Sequence, residues 1–150
     1  FEGLRADQFV EADGAENRDF GKVDSGFKAT AEEIQTLVEL HNADNLLPGN
    51  ERCRLIEGDV METLPKFLED NPGLKISLLH FDMDLYKPTK FALELLYPLV
   101  STGGVVCFDE YALVPWQGET SAVDEYFRSS GNPPVIRKFP FTPASCYFVK

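Results

Sequence analysis

Two apolar runs, each ending abruptly in carboxylates, constrain this chain more than any other feature. Lys75 to Phe81 runs into Asp82-Met83-Asp84, and Val105 to Phe108 runs into Asp109-Glu110. Ile76, Leu78, Leu79 and Phe81 leave little alternation, the pattern of a strand buried on both faces of a parallel sheet. Between the runs, from about Pro88, Ala92, Leu95, Leu96 and Leu99 form a helical stripe that Gly103-Gly104 closes. Strand, helix and strand in that order imply an open α/β sheet with helices on its faces. Ligands of such sheets bind beyond the carboxyl ends of the strands, so the acids after both runs are expected on one rim.

The flanking segments extend the alternation. Thr30 with Glu33 fits a capping box, and Ile34, Leu37, Val38 and His41 follow on one helical face before Pro48-Gly49-Asn50 breaks the chain. Cys53 to Ile56 reads as a short strand ended by Gly58-Asp59. Leu64, Phe67 and Leu68 line a second helix that Asn71-Pro72-Gly73 stops. After Pro115 and Trp116, a helix is expected around Ser121 to Arg128. Val135 to Phe139 and Ser145 to Val149 read as an antiparallel hairpin joined through Pro140 and Pro143. Residues 5 to 29 show neither period and are expected to form a long loop, of the kind that often acts as a lid.

The 150 residues fit one domain, and the chain opens at Phe1 without a methionine, which suggests a fragment or a processed form. A formal net charge of −11 repels phosphate backbones and argues against nucleic acid as a partner. It suits metal ions or a cationic cofactor. No run approaches the roughly 20 apolar residues that cross a bilayer, and no signal peptide is visible. Cys53, Cys107 and Cys146 are odd in number and set among apolar residues, so they read as buried thiols of a reducing, cytoplasmic compartment.

Within that frame, Asp82, Asp109 and Glu110 are the sharpest candidate site. Three carboxylates at one rim repel each other unless a cation neutralises them, and hard oxygens select magnesium, calcium or manganese. From spacing alone, ordinary solvated acids explain the pattern equally well. Asp84 is read as a second ligand or, preferably, as the cap of the following helix. Gly58-Asp59 fits either a plain turn or a close approach to a nucleotide. His80 shares a strand face with Asp82 and is a candidate base, though a buried, hydrogen-bonded histidine is the preferred reading. His41, on its apolar helix stripe, is expected to be structural. Tyr86, Tyr111 and Trp116 flank the rim and either wall a substrate pocket or belong to the core. Asp82-x-Asp84 is shared with haloacid-dehalogenase-type phosphatases, but Leu85-Tyr86 and the mid-chain position depart from that signature.

The run from His80 through Tyr86, with Thr89, Ala92-Leu93-Glu94-Leu95-Leu96-Tyr97-Pro98-Leu99, Gly103-Gly104 and Asp109-Glu110-Tyr111, resembles the macrocin O-methyltransferase family. Phe1-Glu2-Gly3-Leu4, the stretch from Phe27 to Glu33, and Ala122 to Phe127 are similar to further family segments. The resemblance implies a Rossmann-like class I methyltransferase sheet, mostly parallel with a C-terminal antiparallel hairpin. It also implies that the chain is N-terminally incomplete, lacking the first strand, its glycine-rich turn and the ribose-holding acid.

By that resemblance the activity is transfer of methyl from S-adenosylmethionine, with Mg2+, to a hydroxyl of a small molecule such as a sugar of a natural product. It places the metal on Asp82, Asp109 and Glu110, where most relatives carry Asp at the position of Glu110. It places the cofactor at Gly58, Asp59 and the rim around Asp82. The sequence leaves the acceptor, the general base and homo-oligomerisation open. A non-catalytic α/β binding module and an iron-dependent hydroxylase of related fold are the competing readings.

Overall fold

The computed structural model describes residues 4, 6–14, 29–114, 116–142 and 145–150. Most of the expected 5-to-29 loop, the first three residues, the stretch from Phe27 to Lys28, and Pro115 and Pro143 lie outside the described residues. Four strands form one sheet: β1 (Ile76–Phe81), β2 (Val100–Phe108), β3 (Arg137–Lys138) and β4 (Cys146–Val149), in spatial order β1-β2-β4-β3. β1 and β2 are parallel, while β4 is antiparallel to both β2 and β3, so the expected C-terminal hairpin is present.

Among the described residues four α-helices accompany the sheet: α1 (Ala31–Ala43), α2 (Val60–Asp70), α3 (Tyr86–Leu96) and α4 (Gln117–Ser130). α1 starts where the capping box predicts. The Thr30 hydroxyl accepts from Glu33 N–H at 3.2 Å, and the Glu33 carboxylate accepts from Thr30 N–H at 2.9 Å. α4 begins four residues earlier than its apolar stripe suggests and ends at Gly131, whose φ of 68° is the left-handed cap that glycine adopts without strain.

The core lies where β1, β2 and β4 meet α3 and α4. Phe81, Phe108 and Phe148 are buried there with Leu79, Leu93, Val106, Val123 and Phe127. Phe81 and Phe108 are register partners across β1 and β2, and their rings stack with centroids 5.0 Å apart. α3 and α4 pack on each other, clipped on the outside by Lys90, which reaches Glu125 at 2.6 Å.

Five expectations are corrected. No strand forms over 53–56, because no described strand lies beside it to complete a ladder. β2 begins at Val100 rather than Val105. Gly103-Gly104 makes an irregularity inside it, with Gly103 at φ 82° and the register slipping between Ile76 and Leu78. β1 is covered on one face only: Leu79 and Phe81 are buried, whereas Leu78 is 62% exposed and His80 is exposed. α1 likewise buries no residue, so Leu37 and Leu40 lie open and His41 is exposed. Of the three free cysteines only Cys146 is buried; Cys53 and Cys107 are half-buried.

Phe108 touches Phe81, Tyr111 and Phe148 at the centre of this core. Phe108→Ala is expected to lower unfolding free energy by about 3–5 kcal/mol in urea titration, through lost burial plus the cavity left behind.

Candidate active site

The β1–β2 pairing delivers the acids. Asp109 N–H continues the ladder by donating to Phe81 C=O at 3.1 Å, so Asp82 and Asp109 leave the sheet side by side. Asp82 is exposed, and Asp109 is half-buried with one oxygen accepting from the Ser145 hydroxyl at 2.8 Å. Asp84 follows in the left-handed region at φ 58°, a strained setting for a residue with a side chain. Burial, reinforced by Asp82 and Asp109, pushes its pKa up to about 6. Glu110 is also held above the usual carboxylate range, first by burial and then by Asp84, Asp109 and Asp82. Asp82 and Asp109 thus lie near enough to Asp84 and Glu110 to disfavour their charged forms.

A fifth acid, Glu119, was not legible in the sequence. It sits in the first turn of α4 and is fully buried. One oxygen accepts from Glu110 N–H at 2.9 Å, and the other has no partner. Burial raises its pKa to about 8; the Glu110 N–H works against this, and Asp84, Glu110 and Asp109 add to it. An acid in the first turn of a helix reads as an ordinary dipole partner, and nothing local announces its burial.

Asp84 is not the cap of α3. The N-cap position belongs to Leu85, which supplies no side-chain bond. The cap comes from Asp13, 73 residues away, whose carboxylate accepts from Tyr86 N–H at 2.6 Å and from Val10 N–H at 2.7 Å. Asp13 is fully buried, and hydrogen bonds of this charge-assisted kind contribute about 1.5–3 kcal/mol each. It closes a strap over residues 6–14 made of two short 3-10 turns, Ala6–Gln8 and Glu11–Asp13. The strap also touches α2, where Gln8 donates to Asp59, and α4, where the Ser121 hydroxyl donates to Ala12 C=O at 3.2 Å.

The remaining expected site residues fall as follows. Asp59 caps α2, one oxygen accepting from Met61 N–H at 2.8 Å and the other from Gln8 at 2.5 Å. Gly58 precedes it at φ 130°. His80 ends the open face of β1 and is exposed, not the buried histidine preferred from sequence. Tyr86 donates its hydroxyl to Glu125, and Tyr111 donates to Asp124 at 2.8 Å, so both phenols turn to α4. Trp116 is buried just before α4.

The donor chemistry suits a hard cation: carboxylate oxygens only, two of them, on Glu110 and Glu119, buried without a partner. Among the described residues, no group of three His, Cys, Asp or Glu side chains is arranged to hold a metal ion as it stands.

The fold is similar to those of solved methyltransferases. The apo structure of CalS11, a TDP-rhamnose 3'-O-methyltransferase of calicheamicin biosynthesis, superposes with a TM-score of 0.71 at 32% identity, over 82% of this chain and 54% of that one. The fold is therefore that of a Rossmann-like methyltransferase. Residues 1–137 match the macrocin O-methyltransferase (TylF) family, and the chain belongs to that family. A demethyldecarbamoylnovobiocin O-methyltransferase of Streptomyces niveus is 39% identical over 77 residues, 51% of this chain and 27% of the relative. A 4'-O-methyltransferase of Streptomyces olivaceus, acting on a rhamnosyl-tetracenomycin C, is 36% identical over 64 residues, 43% of this chain and 23% of the relative. The chain thus aligns to about a quarter of these curated relatives and to about half of the solved one.

Glu119 keeps its proton to about pH 8 when folded but loses it near the ordinary 4.5 when unfolded. The folded state binds more protons in that window, so this contribution to stability is complete below 4.5 and fades as pH rises through 8. Glu119→Gln retains an oxygen for Glu110 N–H and removes the titration. Thermal melts in chelator-containing buffer are expected to show wild type losing stability from pH 5 to 8 and the variant losing less. Equal losses would mean that Glu119 is charged in the fold.

Proposed function

We propose that this chain carries the acidic half-site of an S-adenosylmethionine- and Mg2+-dependent O-methyltransferase acting on a hydroxyl of a small molecule, a sugar of a natural product. The observation that carries the reading is the convergence of Asp82, Asp84, Asp109 and Glu110 at the carboxyl edge of β1 and β2, with Glu119 buried beneath them. The relatives' sugar acceptors support the substrate class. Three free thiols agree with a reducing, cytoplasmic setting.

In this reading Asp82, Asp109 and Glu110 would hold Mg2+, and Gly58, Asp59 and the Asp82 rim would face the cofactor. When bound, the ion supplies a Lewis acid for the acceptor hydroxyl, and S-adenosylmethionine supplies a methyl group on a sulfonium leaving group. The protein's own task is alignment and charge. The carboxylate rim attracts both a divalent cation and a sulfonium, and the net charge of −11 extends that field. His80, exposed two residues before Asp82, is the candidate to accept the hydroxyl proton. Tyr86, Tyr111 and Trp116 are the candidates to wall the acceptor pocket; the two phenols are held by α4 and Trp116 is buried just before it.

Asp109→Asn preserves an oxygen for the Ser145 hydroxyl while removing a charge from the rim. Methyl transfer is expected to fall about 100-fold, with a higher Mg2+ concentration needed for half-activation. Unchanged turnover and Mg2+ response would overturn the metal role. Calorimetry with S-adenosylmethionine that gave no heat would favour a non-catalytic binding module.

A further inference from the structure

We propose that Asp13 is a positioning residue for the acidic rim: it locks the 82–85 turn, and with it Asp82 and Asp84, through the first N–H of α3. The inference rests on the reading of that rim as the reacting site, and it deepens it by naming what holds the acids in place.

Three observations converge. The turn is held in a conformation that the chain does not favour by itself. Asp84 has φ 58°, and Leu85 N–H turns back onto Met83 C=O at 2.5 Å. Such backbone persists only where surroundings over-determine it. The next peptide group, Tyr86 N–H, is received by Asp13 at 2.6 Å, with no cap from α3's own N-cap residue. Asp13 is fully buried, so the bond is shielded from water and from competing donors.

The third observation is Gly118, in the first turn of α4. A Cβ there would collide with Asp13 Oδ1 and would sit 2.6 Å from Tyr86 N and 2.8 Å from Asp84 O. One position without a side chain is therefore what lets the strap carboxylate, the 82–85 turn and α4 meet. Glu119, the buried acid under the rim, is the next residue, so the same contact fixes its approach to Glu110.

Neither Asp13 nor Gly118 is a proposed ligand, so neither touches the reacting atoms. Asp13 acts through the backbone of Tyr86, as outer-shell partners of metal ligands do. The two oxygens of Asp13 have separable tasks. One holds the turn, and the other accepts from Val10 N–H and folds the strap on itself. Asp13→Asn keeps an acceptor for Tyr86 N–H and gives up the bond to Val10, whereas Asp13→Ala removes both.

The test compares wild type, Asp13→Asn, Asp13→Ala and Gly118→Ala by amide hydrogen exchange at Tyr86, by backbone chemical shifts at Asp82 to Asp84, and by titration with Mn2+ alone. Asp13→Ala and Gly118→Ala are expected to speed Tyr86 exchange by at least about tenfold, to move the three backbone shifts, and to weaken Mn2+ binding by about 10–100-fold. Asp13→Asn is expected to retain Mn2+ affinity within about threefold of wild type while Val10 exchange rises. If Asp13→Ala fails to fold, Asp13→Asn and Gly118→Ala carry the comparison. The proposal is overturned if folded Asp13→Ala, or in its absence Gly118→Ala, leaves the Asp82 to Asp84 shifts and Mn2+ affinity at wild-type values. If wild type itself takes up no Mn2+, the metal reading fails alone. The backbone shifts then decide the positioning role: movement supports it and constancy overturns it.

Discussion

The parallel pairing of β1 with β2 is the constraint on which the rest depends. Register places Phe81 beside Phe108, and the next residue on each strand is an aspartate. The apolar pair pulls the strand ends together through ring stacking and burial, while the acids just beyond them repel. Burial first, and the neighbouring acids second, raise the pKa values of Asp84 and Glu110. A hydrophobic block fixes the positions, and the charges cannot relax apart without dismantling it. This is a common device of α/β sheets: stiff apolar strands hold polar groups where water alone would disperse them.

Much of this was written in local sequence. The Thr30–Glu33 capping box, the acids after β1 and β2, the stop at Asn71 and the C-terminal hairpin follow from spacing and residue type. What was not legible depends on partners distant in the chain. Asp13 lies in a polar stretch with no periodicity, and its role arises only because Tyr86, 73 positions on, brings it an unsatisfied N–H. Glu119 looks like any first-turn acid until α4 docks it against Glu110. His80 and Leu78 read as buried because their strand is apolar, yet burial requires something to cover that face, and no described element does. Tyr86 and Tyr111 lie beside the rim in sequence, but side-chain direction sends both phenols to α4.

Family membership and the acidic rim support each other without being the same argument. The family match covers residues 1–137 and rests on similarity along the chain. The rim rests on packing and electrostatics, which mark Asp84, Glu110 and Glu119 by raised pKa values at the β1–β2 edge. The strap over residues 6–14 meets α2, α3 and α4 near their amino ends, and at α3 it receives the Tyr86 N–H that the helix itself leaves open.

The vacancy of a side chain at Gly118 has an evolutionary corollary. Three separate stretches of chain meet at one point there, and no larger residue fits unless all three retreat. Loss of the strap carboxylate alone would not free position 118, because a Cβ there would still sit 2.6 Å from Tyr86 N and 2.8 Å from Asp84 O. Position 118 is held by the backbone of the 82–85 turn itself, so it is more tightly bound to glycine than position 13 is to aspartate.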